Sequence, residues 1–489
     1  MGINLNRKSG ILLHPTALPG PFGIGEIGDA AYSFIDDLSE MGQKIWQVLP
    51  IGPADFHNSP YSSSSTFAGN HLLISLDLLA QDNLLDAQDL DKYQIPNSSR
   101  VDFDTVIKTK MPILKEVSKD FKSRASEKTI NSFEIFCDKE SYWLDDYARY
   151  WALKAENNQS CWIDWKTFNP RNVEAEFEAK VMQFIFHDQW SRLRGYAREK
   201  GVKIVGDMPI YVGYDSADVC FNRSLFQLDI EGNMEYQGGC PPCNYQEEGQ
   251  LWGTPLYNWS RHIDSNFDWW RKRFRKLFEM VDSVRLDHFI GYARYYRIPI
   301  ADKTAHNGEW INSPGDQLFA AVKEEIEDFN VIAEDLGEVT QEVLSLRDRC
   351  NFPGMRVLQF EPFENFSHNN FSRNSVLFTG THDNNTLVGW LNSLDDKEVN
   401  QSSLNKKKLI SLFGCSEDDI HWEIIRYAYQ SESNTVITPI QDILGEDSFA
   451  RFNSPGTLST DNWSWRLEDE KLTHFIKEKI SKLVKDYNR

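Results

Sequence analysis

Eight short runs of β-forming residues, many of them separated by helical patterns, constrain the fold of this chain more than any other feature. Several runs are continuously apolar rather than alternating, as expected for strands that are buried on both faces of a parallel sheet. Helical patterns such as 316–327 carry apolar residues on one face. Eight strands with interposed helices predict an α/β fold, a (β/α)8 TIM barrel. The eight runs are 10–14, 44–49, 202–208, 283–287, 331–334, 355–360, 376–379 and 434–438.

Two of the intervals between strands are too long for a single crossover. We expect one catalytic barrel over 1–489, with an inserted subdomain at 54–200 between strands two and three. A second, helical insertion is expected at 384–433, between strands seven and eight. Both insertions are mostly helical, and helical spacing is clear at 173–198. They are expected at the C-terminal face of the barrel.

Charge and composition exclude several classes of protein. The 489 residues include 52 Lys+Arg and 73 Asp+Glu, which gives a net charge of −21. Nucleic acid is therefore not expected as a partner, because its phosphates bind clustered positive charge. There is no run of 18 apolar residues, so no membrane span is expected. Seven scattered cysteines do not form a disulfide framework of the secreted type, and we expect a soluble, cytoplasmic protein with no obligate protein partner.

Four carboxylates lie where predicted strands end. Asp207, Asp287 and Glu334 close the third, fourth and fifth strands, and Asp383 follows the seventh. In a barrel these ends converge on the C-terminal face, which holds the active sites of such enzymes. Carboxylates that share a cleft repel each other, so at least one should have a raised pKa and stay protonated near neutrality. The cleavage of glycosidic bonds requires one ionised and one protonated carboxyl.

Two basic side chains are predicted beside these acids. Arg285 lies two residues before Asp287, so strand alternation places both side chains on one face. A guanidinium at that position favours the ionised form of a carboxylate, which suits a nucleophile. His382 adjoins Asp383 and can hydrogen-bond a sugar hydroxyl.

Aromatic residues stand in segments dominated by Gly, Pro, Ser and Asn. Tyr61 lies in SPYSSSSTFAGN, and Tyr245 and Trp252 lie in GCPPCNYQEEGQLWGTPLYNW. Flat apolar rings beside polar groups suit the faces and edges of a pyranose ring. These three residues are therefore candidates for sugar binding.

No motif indicates a metal or an organic cofactor. The pair Cys240 and Cys243 forms a single CxxC without a second pair, which does not favour a structural zinc site. A redox dithiol is an alternative for this pair. There is no P-loop, and FGIG at 22–25 is too short for a dinucleotide fingerprint.

Long motifs, in order along the chain, resemble those of the 4-α-glucanotransferases called amylomaltases or disproportionating enzymes, of glycoside hydrolase family 77 in the α-amylase clan. The resemblance covers essentially the whole chain. The motifs are SGILLHPTALPGPFGIGEIGD, WQVLPIGP, SPYSSSSTFAGN, GDMPIYV with DSADV, GQLWGTPLYNW, VRLDHFIGY, VIAEDLG, PGMRVLQF, FTGTHDNNT and RFNSPGT…NWSWR.

The resemblance implies a role for each candidate residue. Asp287 would be the nucleophile, Glu334 the general acid/base, and Asp383 the group that binds the hydroxyls of the distorted sugar. The pocket for the reacting sugar and the glucan groove would be completed by Tyr61, Asp207, Tyr245, Trp252, Arg285 and His382. The family has a mobile loop at the position of 239–250, where it usually reads PPDYF and this chain reads PPCNY. A further hypothesis is that the two cysteines of this loop make activity redox-sensitive.

The implied reaction is the transfer of α-1,4-glucan segments between maltooligosaccharides by a retaining double displacement that releases glucose and needs no cofactor. Two alternatives stay open. The same residues would serve a retaining α-glucan hydrolase, which differs only in using water as the acceptor. A non-catalytic glucan-binding protein is the other alternative, although such a protein has no need of three carboxylates.

Overall fold

Eight parallel strands close into a barrel in the computed structural model, which describes residues 7–54, 57–243, 246–361, 371–395 and 404–489. Each of the eight predicted runs overlaps one of these strands, so the predicted (β/α)8 barrel is confirmed. Around the barrel, the strands are β1 Lys8–Leu12, β2 Ile45–Gln47, β3 Lys203–Met208, β6 Ser283–Leu286, β9 Val331–Ala333, β10 Gly354–Val357, β11 Ser375–Phe378 and β12 Thr435–Pro439.

The barrel strands are buried on both faces. Inward-facing apolar side chains form a compact cluster inside the barrel, and the alternate residues pack outward against the helices. Gly10 permits the close approach of β1 and β2, because a Cβ atom at this position would lie 2.5 Å from the Cβ of Ile45. The inner cluster comprises Leu12, Ile45, Val205, Ile332, Met355, Val357, Val376, Phe378 and Ile437.

Sixteen α-helices lie in the described part of the chain, and none of them is long and apolar enough to cross a bilayer. The helix predicted at 173–198 is α5, and the one predicted at 316–327 is α10, which ends earlier. The helices are α1 Asp29–Glu40, α2 Leu76–Gln81, α3 Phe103–Arg124, α4 Glu127–Glu156, α5 Val173–Glu199, α6 Ala217–Phe221, α7 Trp259–Asp264, α8 Asp268–Met280, α9 Ile290–Ala293, α10 Gly315–Lys323, α11 Gln341–Cys350, α12 Leu387–Ser393, α13 Lys406–Phe413, α14 Ile420–Gln430, α15 Ile440–Leu444 and α16 His474–Asp486.

Helices α2 to α5 lie between β2 and β3, and α12 to α14 lie between β11 and β12. Helix α5 supports the segment that follows β2 through two buried glutamines. The side-chain amide of Gln183 pairs with both backbone groups of Gly69, at 2.7 and 2.9 Å, and Gln189 pairs with Ser75 in the same way. This segment begins with the loop that carries Tyr61. The division into inserted subdomains stays a prediction.

A second, antiparallel sheet was not predicted. Its order is β5-β4-β7-β8, formed by β4 Tyr236–Cys240, β5 Gln250–Leu251, β7 Arg294–Pro299 and β8 Glu309–Asn312. Two of these strands lack a recognisable pattern, because β5 has two residues and β4 contains two glycines. Strands β4 and β5 flank the loop at 239–250, so this sheet fixes where the loop leaves and rejoins the molecule.

Candidate active site

The Arg285 guanidinium holds the predicted carboxylates together. It extends from β6, and its Nη1 donates to both carboxylate oxygens of Asp207, at 2.8 Å each, and to Oδ1 of Asp287 at 3.0 Å. Its Nη2 lies 3.9 Å from Oε2 of Glu334. Parallel strand ends on neighbouring strands bring these three acids to one buried cation. The guanidinium offsets part of the repulsion among them.

Glu334 is a buried carboxyl whose pKa is shifted strongly toward the protonated form. Burial, together with the neighbouring charges of Asp287 and Asp383, raises its pKa from 4.5 to about 8 against the opposing effect of Arg285. The backbone N–H of His288 donates to Oε2 of Glu334 at 2.5 Å. This bond favours the ionised form, but burial outweighs it. A raised pKa of at least one carboxyl was predicted from mutual repulsion of the acids, whereas burial is the larger cause at Glu334.

The backbone at His288 is strained. Its φ angle is 46°, in the left-handed region, where a non-glycine residue costs on the order of 1 kcal/mol. This conformation follows Asp287 directly at the end of β6. It aims the amide of His288 at Glu334, which fixes the position of that carboxyl relative to Asp287.

Asp207 and Tyr61 are joined by a hydrogen bond. The hydroxyl of Tyr61 donates to Oδ2 of Asp207 at 2.8 Å. The Asp207 side chain is fully buried, and burial raises its pKa, although Arg285 opposes that change. Burial also raises the pKa of the Tyr61 hydroxyl well above 10, so this hydroxyl remains a donor at every physiological pH.

Asp383 lies at a more open position, with 43% of its side chain exposed. Its Oδ1 accepts a hydrogen bond of 2.6 Å from Nδ2 of Asn453, and its Oδ2 lies 3.4 Å from Nε2 of His382. The His382 ring stacks on Tyr61, with ring centroids 5.1 Å apart, and Trp463 packs beside both rings. Thus His382 links the position of Asp383 to the Tyr61 loop.

Trp252 lies beside His288, just after the loop at 239–250. Its ring packs edge-on against the His288 ring at 4.9 Å, and its Nε1 donates to the side chain of Gln250 at 2.7 Å. At the other end of the loop, burial together with the charges of Glu334 and Asp287 raises the pKa of the Cys240 thiol to about 12. Tyr245 lies outside the described residues.

The described residues offer little support for a redox-active cysteine pair or a metal site. All seven cysteines are free, and no group of three or more His, Cys, Asp or Glu residues in the described ranges is arranged to hold a metal ion. The raised pKa of Cys240 disfavours the thiolate that a reactive dithiol requires.

The family is decided by the comparison of sequences. The family model described as 4-alpha-glucanotransferase (Glyco_hydro_77) matches residues 13–473. The chain belongs to this family. This match confirms three predictions made from the sequence: the resemblance to this family, the assignment as an enzyme and the 4-alpha-glucanotransferase activity.

The sequence similarity to known proteins extends over nearly the whole chain. The 4-alpha-glucanotransferase of Synechocystis sp. is 40% identical over 99% of this chain and 98% of its own length. The chloroplastic/amyloplastic 4-alpha-glucanotransferase of Arabidopsis thaliana is also 40% identical, over 94% of this chain and 81% of its own. The amylomaltase of Streptococcus agalactiae, solved in complex with acarbose, superposes with a TM-score of 0.92 at 33% identity and covers 99% of both chains.

Sequence reasoning missed several residues at the candidate site. Asn453 and Trp463 contact Asp383 and His382, and Nη2 of Arg451 donates to the backbone oxygen of Asp383 at 2.6 Å. All three lie in the RFNSPGT…NWSWR motif, which was recognised only as part of the resemblance. Their distance along the chain from Asp383 gave no local pattern that pointed to a contact.

Proposed function

We propose that this site transfers α-1,4-glucan segments between maltooligosaccharides by a double displacement with net retention, releasing glucose. The observation that carries the proposal is the pair formed by Glu334 and Asp287. Glu334 has a pKa of about 8 and is protonated at neutral pH, while Asp287 accepts a hydrogen bond from a guanidinium that also lies near Glu334. An acid and a nucleophile around one glycosidic bond are what this chemistry needs.

In the first step, Glu334 gives its proton to the glycosidic oxygen while a carboxylate oxygen of Asp287 attacks the anomeric carbon. The bond between this carbon and the glycosidic oxygen breaks, and the leaving segment departs with a free 4-hydroxyl. Arg285 binds Oδ1 of Asp287, so Oδ2 is the oxygen we assign to the attack. In the second step, Glu334 accepts the proton of an acceptor 4-hydroxyl, which displaces Asp287. Two inversions give retention.

The other candidate residues hold the donor sugar or the catalytic groups. The exposure of Asp383 and the hydrogen bond that it accepts from Asn453 suit a carboxylate that accepts hydrogen bonds from the hydroxyls of the distorted ring. His382 contributes a donor beside it. Because the Asp207 side chain is fully buried, we assign it the positioning of Arg285 and Tyr61 rather than direct sugar contact.

The loop at 239–250 is proposed to control the acceptor. Trp252 packs against His288, which directly follows Asp287, and Tyr245 is proposed to lie along the same groove. Transfer outcompetes hydrolysis only if water is kept from the glucosyl-enzyme, which an ordered lid with an aromatic wall achieves. The related amylomaltase, solved in complex with acarbose, supports the proposal that this chain also has a glucan-binding groove. We also propose the 54–200 and 384–433 segments as subdomains that build the walls of that groove.

The test is incubation of the protein with maltotriose alone, followed by chromatography of the products over time. Transfer gives glucose together with maltopentaose and longer chains. Glucose and maltose with nothing longer would instead establish the hydrolase, and no change would establish a binding protein. The Asp287→Asn variant should lose turnover and still bind maltotriose in calorimetry. Asp138→Asn, on the exposed face of α4, is the matched control and should retain wild-type rates.

A further inference from the structure

A second cavity lies at the N-terminal end of the barrel, on the face opposite the acids. It has a volume of about 490 Å³. Lys8 and Lys203 are the first residues of β1 and β3, and Lys44 directly precedes β2. Since β1, β2 and β3 are neighbours in the barrel, their starts bring the three lysines together. The lining residues are Arg7, Lys8, Lys44, Gly201, Lys203, Asn488 and Arg489.

The charge of this cavity is opposite to that of the molecule. Five of the seven lining residues have cationic side chains and none has an acidic side chain, in a chain whose net charge is −21. Within the described residues, Lys8, Lys44 and Lys203 form no ion pair, whereas many lysines elsewhere do. Burial lowers the pKa of Lys8, and the charge of Lys203 lowers it further, so these ammonium groups repel each other.

The two lining arginines, Arg7 and Arg489, are held in place by hydrogen bonds to the backbone. Arg7 donates to the backbone oxygens of Ser431 and Tyr429, at 2.8 and 3.1 Å, and Arg489 donates to Tyr429 and Ser433, at 2.7 and 3.0 Å. These bonds hold both guanidiniums in place, because moving them would break contacts with backbone carbonyls. The nearby Glu432 bonds to Arg373 at 3.0 Å.

We propose that this cavity binds a small phosphate-bearing anion. Several fixed cations around a concave space suit a ligand with two or more negative charges and many acceptor oxygens. The volume admits an anion of the size of pyrophosphate or a hexose phosphate. A long polyanion is disfavoured, because the acidic remainder of the surface would repel it.

The expected effect of the anion is on stability. It would neutralise the repulsion among the lysines and connect the starts of three strands to the end of the chain beyond α16. Binding to the folded state alone raises the unfolding temperature with ligand concentration. The acids at the opposite end of the barrel are not involved, so catalysis by the bound form should be unchanged.

The experiment titrates the full-length protein with pyrophosphate, inorganic phosphate and glucose 1-phosphate, by calorimetry and thermal unfolding, with sodium chloride keeping the ionic strength constant. We expect saturable binding of at least one of the three probes and a rise in the unfolding temperature. The comparison of pyrophosphate and inorganic phosphate with glucose 1-phosphate separates an inorganic anion from a phosphate ester.

The Lys44→Gln/Lys203→Gln variant should bind at least tenfold more weakly, and without the anion its unfolding temperature should equal or exceed that of the wild type. The matched control is Lys128→Gln/Lys303→Gln, which removes the same charge from exposed positions outside the cavity and should bind like the wild type. If the double variant does not fold, Lys44→Gln alone serves, because this side chain is exposed. The proposal is overturned if the wild type binds none of the three probes saturably, or if the lysine variant and the control bind alike.

Discussion

The pKa of Glu334 makes a quantitative prediction about the pH dependence of catalysis. Burial of this carboxyl raises its pKa from 4.5 to about 8, a preference for the protonated form worth on the order of 5 kcal/mol. The general acid is therefore available below pH 8 and is lost as the pH rises through that value. For a single essential acid, the kcat/KM for maltotriose at pH 9 and 10 should be roughly a tenth and a hundredth of its plateau.

Initial rates would be measured at maltotriose concentrations well below KM, since kcat/KM reports the titration of the free enzyme. Quenched samples are analysed for glucose by chromatography, which avoids a coupling enzyme with a pH profile of its own. Far-ultraviolet circular dichroism over the same range checks that the fold is retained.

A second donor isolates the role of the proton. Fluoride needs little protonation to leave, so the loss of rate above pH 8 should be much smaller with α-maltotriosyl fluoride. The Glu334→Gln variant should likewise retain far more activity on the fluoride than on maltotriose. A rate for maltotriose that stays constant from pH 7 to 10 would refute the argument. An equal decline with both donors would show that another group is titrating.

Three further predictions concern Asn453, Asp218 and Cys240. Asn453→Ala removes the hydrogen-bond donor to Asp383. A hydrogen bond to a charged group contributes about 1.5–3 kcal/mol, so kcat/KM should fall roughly 10- to 150-fold. The control Asn307→Ala, at an exposed position, should have no effect on kcat/KM. Burial raises the pKa of Asp218 from 3.8 to about 6, so wild-type stability falls as the pH rises through this range. Asp218→Asn, which still accepts from Thr66 N–H, should be up to about 3 kcal/mol more stable at pH 7.5, with no difference below pH 4 in urea unfolding. Because the Cys240 thiol is held protonated, dithiothreitol and mild oxidant should leave turnover unchanged; a change of more than twofold would instead support the redox hypothesis.

The sequence by itself determined the barrel and the places of the four acids. Apolar runs such as 331–334 reflect strands that are buried on both faces. Each strand carries this pattern in its own residues, so the eight strands could be predicted independently of one another. Parallel strands end on the same face, and the acids that follow them needed no further information to be placed together. The long motifs then identified the chemistry.

Only the tertiary structure decided how strongly those acids interact and which residues support them. The pKa of Glu334 depends on burial by the closed barrel and on the balance between Arg285 and the neighbouring carboxylates, none of which is a local property of VIAEDLG. The bond from Asn453 to Asp383 joins residues 70 positions apart. The clustering of Lys8, Lys44 and Lys203 was likewise not visible in the sequence, where each is an ordinary lysine. Closure of the barrel brings their strands side by side, and contacts of that kind depend on distances in space that neither propensity nor periodicity encodes.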